Sequence, residues 1–179
     1  FRRVLFRSWK GHEILIKSFS SINNENIICI MPGADDNGHY VTNLRNLAKK
    51  YNVLGKMVFL PFLDDLPAAY MLADVVVAPS LKPEPFGRVI IEAQAMGRPV
   101  ISFDHGGASE SIKNNITGLL VEPKNEKELG NAIEKLINMT EIQRNNMANS
   151  SRKHIVNKFS LDKMNRETIK LYSEVLKIK

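Results

Sequence analysis

The chain has 179 residues, a formal net charge of +6, 44% hydrophobic and 25% charged residues, and one cysteine. That length gives one domain, or one and a small appendage, with a full core, and the composition argues against a disordered chain. Cys29 alone excludes an internal disulfide and a cysteine metal cluster, and the apolar runs 26–32 and 73–79 fall well short of the roughly 20 residues that span a bilayer. No secretory leader is visible at the start, and with a single cysteine a reducing cytoplasm is the simplest home. Arg2, Arg3 and Arg7 carry half of the net charge and the remaining lysines are scattered. Nucleic-acid binding is therefore not indicated.

The chain opens on FRRVLF (1–6), a strand-like run with two arginines inside it. It reads either as an edge-like first strand with solvated charges or as a foreign segment, with native sequence beginning near Trp9. A helix is expected at 11–20, a strand at 26–31, a helix at 39–51, a strand at 56–62 and a helix at 65–73. A strand at 74–80, a helix at 86–97, a strand at 98–104, a helix at 108–113, a strand at 117–123 and a helix at 125–138 follow. The strands are rich in β-branched residues and apolar on consecutive positions, as when both faces are covered. Strict alternation of strand and helix implies an α/β fold, a Rossmann-like doubly wound parallel sheet with right-handed crossovers. Two C-terminal helices, 140–157 and 160–177, should bury Ile142, Met147, Ile155, Met164, Ile169, Leu171 and Leu176, with Ser160 at the second start.

In such a sheet ligands bind beyond the carboxyl ends of the strands, so the loops there carry the chemistry. Lys10, at the first strand-to-helix turn, can reach an anion. PGADDNG (32–38) offers Gly33 and Gly38 for close backbone approach but is not the dinucleotide fingerprint. Asp35-Asp36 and Asp64-Asp65 lack the one-residue gap of a nucleotide-sugar metal site and read as turn residues or N-caps.

SLKPEPFGRVIIEAQAMGRPV (80–100) is the most informative stretch. Pro85 suits a first helical turn, leaving the amides of Phe86, Gly87, Arg88 and Val89 unpaired and facing an anion such as a diphosphate. Gly87 also removes a side chain where a ligand needs room. Glu92 is anomalous in an otherwise apolar helix, where an unpaired carboxylate is costly. Leaning toward the helix start, it can accept hydrogen bonds from a ribose diol, or form an ion pair with a nearby Lys or Arg. Glu84 stands at the mouth. Gly106-Gly107, after the strand 98–104, suggest backbone packed against a ligand, and His105 reads as a loop histidine.

Glu84 and Glu92, in EPFGRVIIE, have the E-x7-E spacing of retaining glycosyltransferases of the GT-B fold, and the text most resembles family 4, the RfaG-like group 1 transferases. KGHEILIKSF, ADVVVAPS, EPFGRVIIEAQAMGRPVISFDHGG, GLLVEP and a C-terminal FS…Y helix agree in order and spacing over residues 9 to about 177. The resemblance implies half of a GT-B fold: 9–158 as the nucleotide-sugar-binding domain and 159–179 as a helix packing toward a missing N-terminal acceptor domain. It implies that Lys10 and the amides near Phe86, Gly87 and Arg88 hold the donor diphosphate. Glu84 would contact the donor sugar, Glu92 the ribose, and Pro61, Phe62 and Leu63 the base, with Gly33 and Gly106-Gly107 bordering the pocket. It implies no cofactor and no bound metal, a UDP-sugar or GDP-sugar donor, and a lipid-linked or saccharide acceptor for lipopolysaccharide, capsule or another envelope glycan. The full-length enzyme would work in the cytoplasm, with room for peripheral contact at the inner membrane face, while this chain alone would bind without transferring. A non-catalytic nucleotide-sugar-binding module and an epimerase relative are the alternatives. One departure stands out: the family's arginine five residues before the lysine is Leu5 here.

Overall fold

The computed structural model describes residues 6–34 and 38–176. A 3-10 turn at Ser8–Lys10 leads into α1 (His12–Phe19), and the strands β1 (Cys29–Pro32) and β2 (Met57–Leu60) flank α2 (His39–Lys50). The short helix α3 (Leu66–Leu72) precedes β3 (Val76–Ala78). Then come α4 (Arg88–Ala95), β4 (Val100–Phe103), α5 (Ala108–Ser111), β5 (Gly118–Val121) and α6 (Glu126–Ile137). Two helices close the chain, α7 (Glu141–Phe159) and α8 (Leu161–Leu176). The fold is α/β with parallel strands and C-terminal helices.

The sheet is in two parts. β1 pairs with β2, and β4 lies between β3 and β5, every pair parallel. All four residues of β4 are buried, which explains the unbroken apolar text there: a strand covered on both faces has no solvent side. The buried hydroxyl of Ser102 is satisfied, donating to the Ala78 carbonyl of β3 at 3.0 Å. Among the described residues β1 and β3 are not paired, and the expected continuous sheet is open between them. In a doubly wound sheet the opening strand sits at that centre; the segment expected for it, residues 1–6, falls almost wholly outside the described residues.

Local signals set the helix ends. The Asp65 carboxylate accepts from the Ala68 amide at 3.0 Å and starts α3; Asn125 does the same for α6 from Glu128, also at 3.0 Å. Thr140 and Gln143 form a reciprocal capping box on α7. The expected helix at 86–97 starts later, at Arg88, because Gly87 takes the left-handed conformation (φ 67°, ψ 59°) and Pro85 stays in the loop. The core joins α1, α2, α6 and the strands, with Ile16, Leu44, Ile101, Phe103, Leu129 and Leu136 almost fully enclosed. Each such side chain stabilises by about 1.5–3 kcal/mol.

The C-terminal stripe is realised only in part. Met147 and Ile155 are buried against the body. Ile142, Met164, Ile169, Leu171 and Leu176 are exposed instead, and α8 buries no residue at all. α7 is pinned by polar contacts: Arg144 pairs with Asp74 at 2.8 Å, and Arg152 donates to the Ala95 carbonyl at 2.6 Å. α8 only follows from it, capped by the Ser160 hydroxyl, which accepts from the Lys163 amide at 3.3 Å.

Candidate functional site

Lys10 is fixed by its neighbour. Gly11 has φ 80° and lies so close to the end of β3 that a Cβ there would sit 1.8 Å from the Pro79 carbonyl oxygen. Only glycine fits both demands. The Trp9 carbonyl also accepts from the Leu81 amide at 2.7 Å. The turn is thereby clamped to the β3 end, with the Lys10 ammonium 4.4 Å from the Trp9 ring centroid.

From that place Lys10 donates to Glu84 Oε1 at 2.8 Å. The Ser80 hydroxyl donates to the same oxygen. His105 Nε2 stands 2.8 Å from the Ser80 carbonyl; a carbonyl only accepts, so that nitrogen carries the proton. His105, which the sequence suggested was only a loop residue, thus braces the segment that presents Ser80 and Glu84.

Gly106 and Gly107 pack against polypeptide. The Gly107 amide donates to the Glu84 carbonyl at 2.8 Å, and a Cβ at Gly107 would meet the Pro85 carbonyl oxygen at 2.5 Å. A Cβ at Gly106 would meet the Glu84 carbonyl oxygen at 2.6 Å. The close approach expected of these glycines is made to the loop carrying Glu84.

α4 starts beside that loop. Among the described residues, the Phe86, Gly87, Arg88 and Val89 amides donate to no carbonyl or side chain. Together with the dipole of α4 they favour an anion. The Phe86 ring turns away, edge-on to Phe159 at 5.9 Å. One turn along α4, Glu92 is partly buried, with 31% of its side chain exposed, and it makes the ion pair that the sequence offered as one of its two roles. Its Oε1 pairs with Arg88 Nη2 at 3.2 Å, and its Oε2 accepts from the Tyr70 hydroxyl at 3.0 Å. Burial first, then the Glu92 charge, pushes the Tyr70 hydroxyl well above its ordinary range.

Among the described residues, Lys10, Glu84, Val89, Glu92 and Tyr70 line one cleft of about 860 Å³, whose lining also takes in residues of β1 and β3. A small pocket of about 20 Å³ adjoins it beneath Ser80, Glu84, Gly87 and His105. Leu63 lines the cleft, whereas Gly33, Pro61 and Phe62 do not. Gly33 donates to the Leu60 and Pro61 carbonyls at 3.0 and 3.1 Å, tying the end of β1 to that loop, and Phe62 is exposed. Cys29 also reaches the cleft, with its thiol pushed up to about 12 by burial. Among the described residues no three His, Cys, Asp or Glu side chains are grouped to hold a metal ion. No described helix is long and apolar enough to cross a membrane. Leu5, Asp35 and Asp36 lie outside the described residues.

Residues 5–154 match the family model for glycosyl transferases group 1. The chain belongs to that family. An uncharacterised glycosyltransferase of Methanocaldococcus jannaschii is 35% identical over 166 residues, which is 91% of this chain and 41% of that protein. Among solved structures, a glycosyltransferase from Rickettsia africae superposes with a TM-score of 0.89 at 32% identity, over 97% of this chain and 46% of that one. The Anabaena protein HepE in complex with UDP superposes with a TM-score of 0.87 at 29% identity, over 97% of this chain and 47% of that one. This chain therefore spans somewhat under half the length of the relatives it matches. As a group 1 transferase segment it brings Lys10, Glu84, Glu92 and the start of α4 to one cleft. Sequence reasoning missed Tyr70 and Ser80. Ser80 carried a weak signal, as a hydroxyl at a strand end; Tyr70, inside a short apolar helix, carried none.

Proposed function

We propose that this chain is the donor-binding part of a retaining glycosyltransferase whose substrate is a nucleoside diphosphate sugar. The carrying observation is the convergence, in one cleft, of a cation, a free helix N-terminus and two carboxylates in different settings. Lys10 and the amides from Phe86 to Val89 suit the diphosphate; Glu84 suits the hydroxyls of the sugar; Glu92 suits the ribose diol. The UDP in the Anabaena relative supports a uridine donor, with guanosine as the alternative base.

In this reading the sugar–phosphate bond breaks while negative charge grows on the departing diphosphate. Lys10 and the α4 amides stabilise that charge without rearranging. The donor draws Lys10 away from Glu84 and leaves that carboxylate for the sugar. A saccharide or lipid-linked acceptor of an envelope glycan, lipopolysaccharide or capsule among them, would be presented by a second domain. The enzyme would need neither cofactor nor bound metal. The relatives' greater length supports binding without transfer by this chain, since acceptor orientation supplies about 7–11 kcal/mol of such catalysis.

Calorimetry with UDP, GDP and their sugars tests this reading. Expected is binding in the high micromolar to millimolar range, about −4 to −6 kcal/mol. No binding of any of them would refute the donor site, and sugar transfer by this chain alone would refute the division of labour. An added N-terminal domain is expected to restore transfer; failure to do so would favour a non-catalytic binding module.

A further inference from the structure

We infer that Tyr70 is a positioning residue for the donor site, setting the orientation of the Glu92 carboxylate through its hydroxyl. The inference rests on Glu92 meeting the ribose diol.

Glu92 has two partners of different kinds. Arg88 lies one turn away on the same helix and 62% of its side chain is exposed. An exposed pair of that kind holds a carboxylate loosely, since water competes for both charges. Tyr70 comes from a different helix, and its ring packs against the small core of Ile90, Ala93, Val100, Ala108 and Ile112. The packing fixes the ring, and the ring fixes the hydroxyl that donates to Oε2 at 3.0 Å.

The stoichiometry of lone pairs fits this arrangement. An ionised carboxylate offers about four acceptor positions. Tyr70 and Arg88 engage one on each oxygen, and the remaining ones are free for the two hydroxyls of a vicinal diol. A diol demands both oxygens at one orientation, so a glutamate free to rotate about its last torsion would meet it poorly; that torsion is broad when nothing fixes it. Tyr70 also lines the same cleft as Glu92. A tyrosine needed only for packing would not require its hydroxyl to be aimed at a partly exposed carboxylate, because water could satisfy both groups there.

The test compares UDP and GDP with their 2′-deoxy counterparts on the intact chain, by calorimetry, with melting temperature followed in parallel. Wild type is expected to prefer the ribose form by about ten-fold or more, as a hydrogen bond to a charged group implies. Glu92→Gln should bring the ratio close to one. Tyr70→Phe, which keeps the ring, should cut the ratio to about a third of wild type or less at an unchanged melting temperature. In the Glu92→Gln background it should add nothing. Tyr70→Leu, read by the same ratio, replaces the phenylalanine variant should that one not fold. A wild-type ratio in both hydroxyl-free variants, with Glu92→Gln still abolishing it, overturns the role of Tyr70 and leaves the ribose reading standing. A ratio near one in wild type, or one that Glu92→Gln does not change, overturns the ribose reading and the inference with it.

Discussion

Lys10 and Glu84, 74 positions apart in sequence, meet at 2.8 Å across the mouth of the cleft, with only 22% and 26% of their side chains exposed. Each is the group the other would have to release when a donor enters. This divides their effects cleanly. Lys10→Ala is expected to weaken UDP by about ten-fold or more, as for one charge-assisted hydrogen bond, and to leave uridine binding nearly unchanged. Glu84→Gln is expected to weaken a UDP-sugar more than UDP, and to leave UDP equal or slightly tighter because Lys10 is freed. Titration calorimetry of the three ligands decides it; an equal loss for uridine and UDP in Lys10→Ala would remove the lysine from the phosphate site.

The glycines around this pair act on backbone and predict stability effects before binding effects. Gly11→Ala places a Cβ 1.8 Å from the Pro79 carbonyl oxygen, and Gly107→Ala places one 2.5 Å from that of Pro85. Neither obstacle is the movable end of a side chain. Each substitution should cost about 1–3 kcal/mol, with Gly11→Ala the worse because its left-handed φ adds strain. Chemical denaturation measures both, and a loss under about 0.5 kcal/mol, ordinary for an unimportant surface site, would show that these loops yield easily.

A pH dependence follows from His12. Its ring stacks on Phe6 with centroids 4.2 Å apart and lies near the Tyr40 hydroxyl at 3.4 Å. Burial, ahead of the nearby Lys10 charge, lowers its pKa from 6.5 to about 4. The folded state therefore binds fewer protons than the unfolded one between those values. The stabilisation from a neutral His12 is complete above pH 6.5 and is lost as pH falls toward 4. It amounts to about 3 kcal/mol at most. His154 is shifted the same way, also first by burial, so the comparison must isolate one ring. His12→Phe should lose less stability than wild type between pH 7 and pH 4.5, by about 1–2 kcal/mol. Parallel losses in the two proteins would mean that His12 is solvated.

The site was legible where a residue type contradicted its surroundings. Glu92 interrupts an apolar helix, Lys10 precedes a glycine at a strand-to-helix turn, and two glycines follow a strand; each is visible without coordinates. What those groups touch was not. Gly106-Gly107 announced a close approach, but only the packing of β4 shows that the approach is to the Glu84 loop. Tyr70 reads as one more apolar position in LPAAYML, because its hydroxyl matters only once α3 lies beside α4, 22 residues on. The start of α4 was misplaced by two residues because Pro85 is a good first helical residue, while the left-handed φ of Gly87 is a property no pattern displays. The buried stripe of α8 failed for another reason. Periodicity reports that a helix has an apolar face, and says nothing of whether this stretch of chain supplies the surface to cover it.

That uncovered face gives the last prediction. Leu161, Ile169, Tyr172, Val175 and Leu176 are each more than 60% exposed, and no residue of α8 is buried. The helix is held by its N-cap at Ser160, by short-range contacts with α7 and by the Lys170–Glu174 pair at 3.9 Å on its own surface. Such a pair is worth a few tenths of a kcal/mol at about 0.3–0.5. Phe159, by contrast, packs edge-on against Phe86 and His154 and belongs to the body. Ending the chain after Ser160 keeps that contact and removes α8 whole. The truncated chain should match the full one within about 1 kcal/mol in chemical denaturation, since no core burial is lost. It should also bind less of a hydrophobic dye, because an apolar patch goes with the helix. A stability loss above about 2 kcal/mol, the scale of a buried side chain, would show that α8 docks on this domain in solution. Added to a second domain that covers this face, α8 should instead become indispensable: the same truncation would then cost several kcal/mol, since each of its large apolar side chains would bring about 1.5–3 kcal/mol of burial.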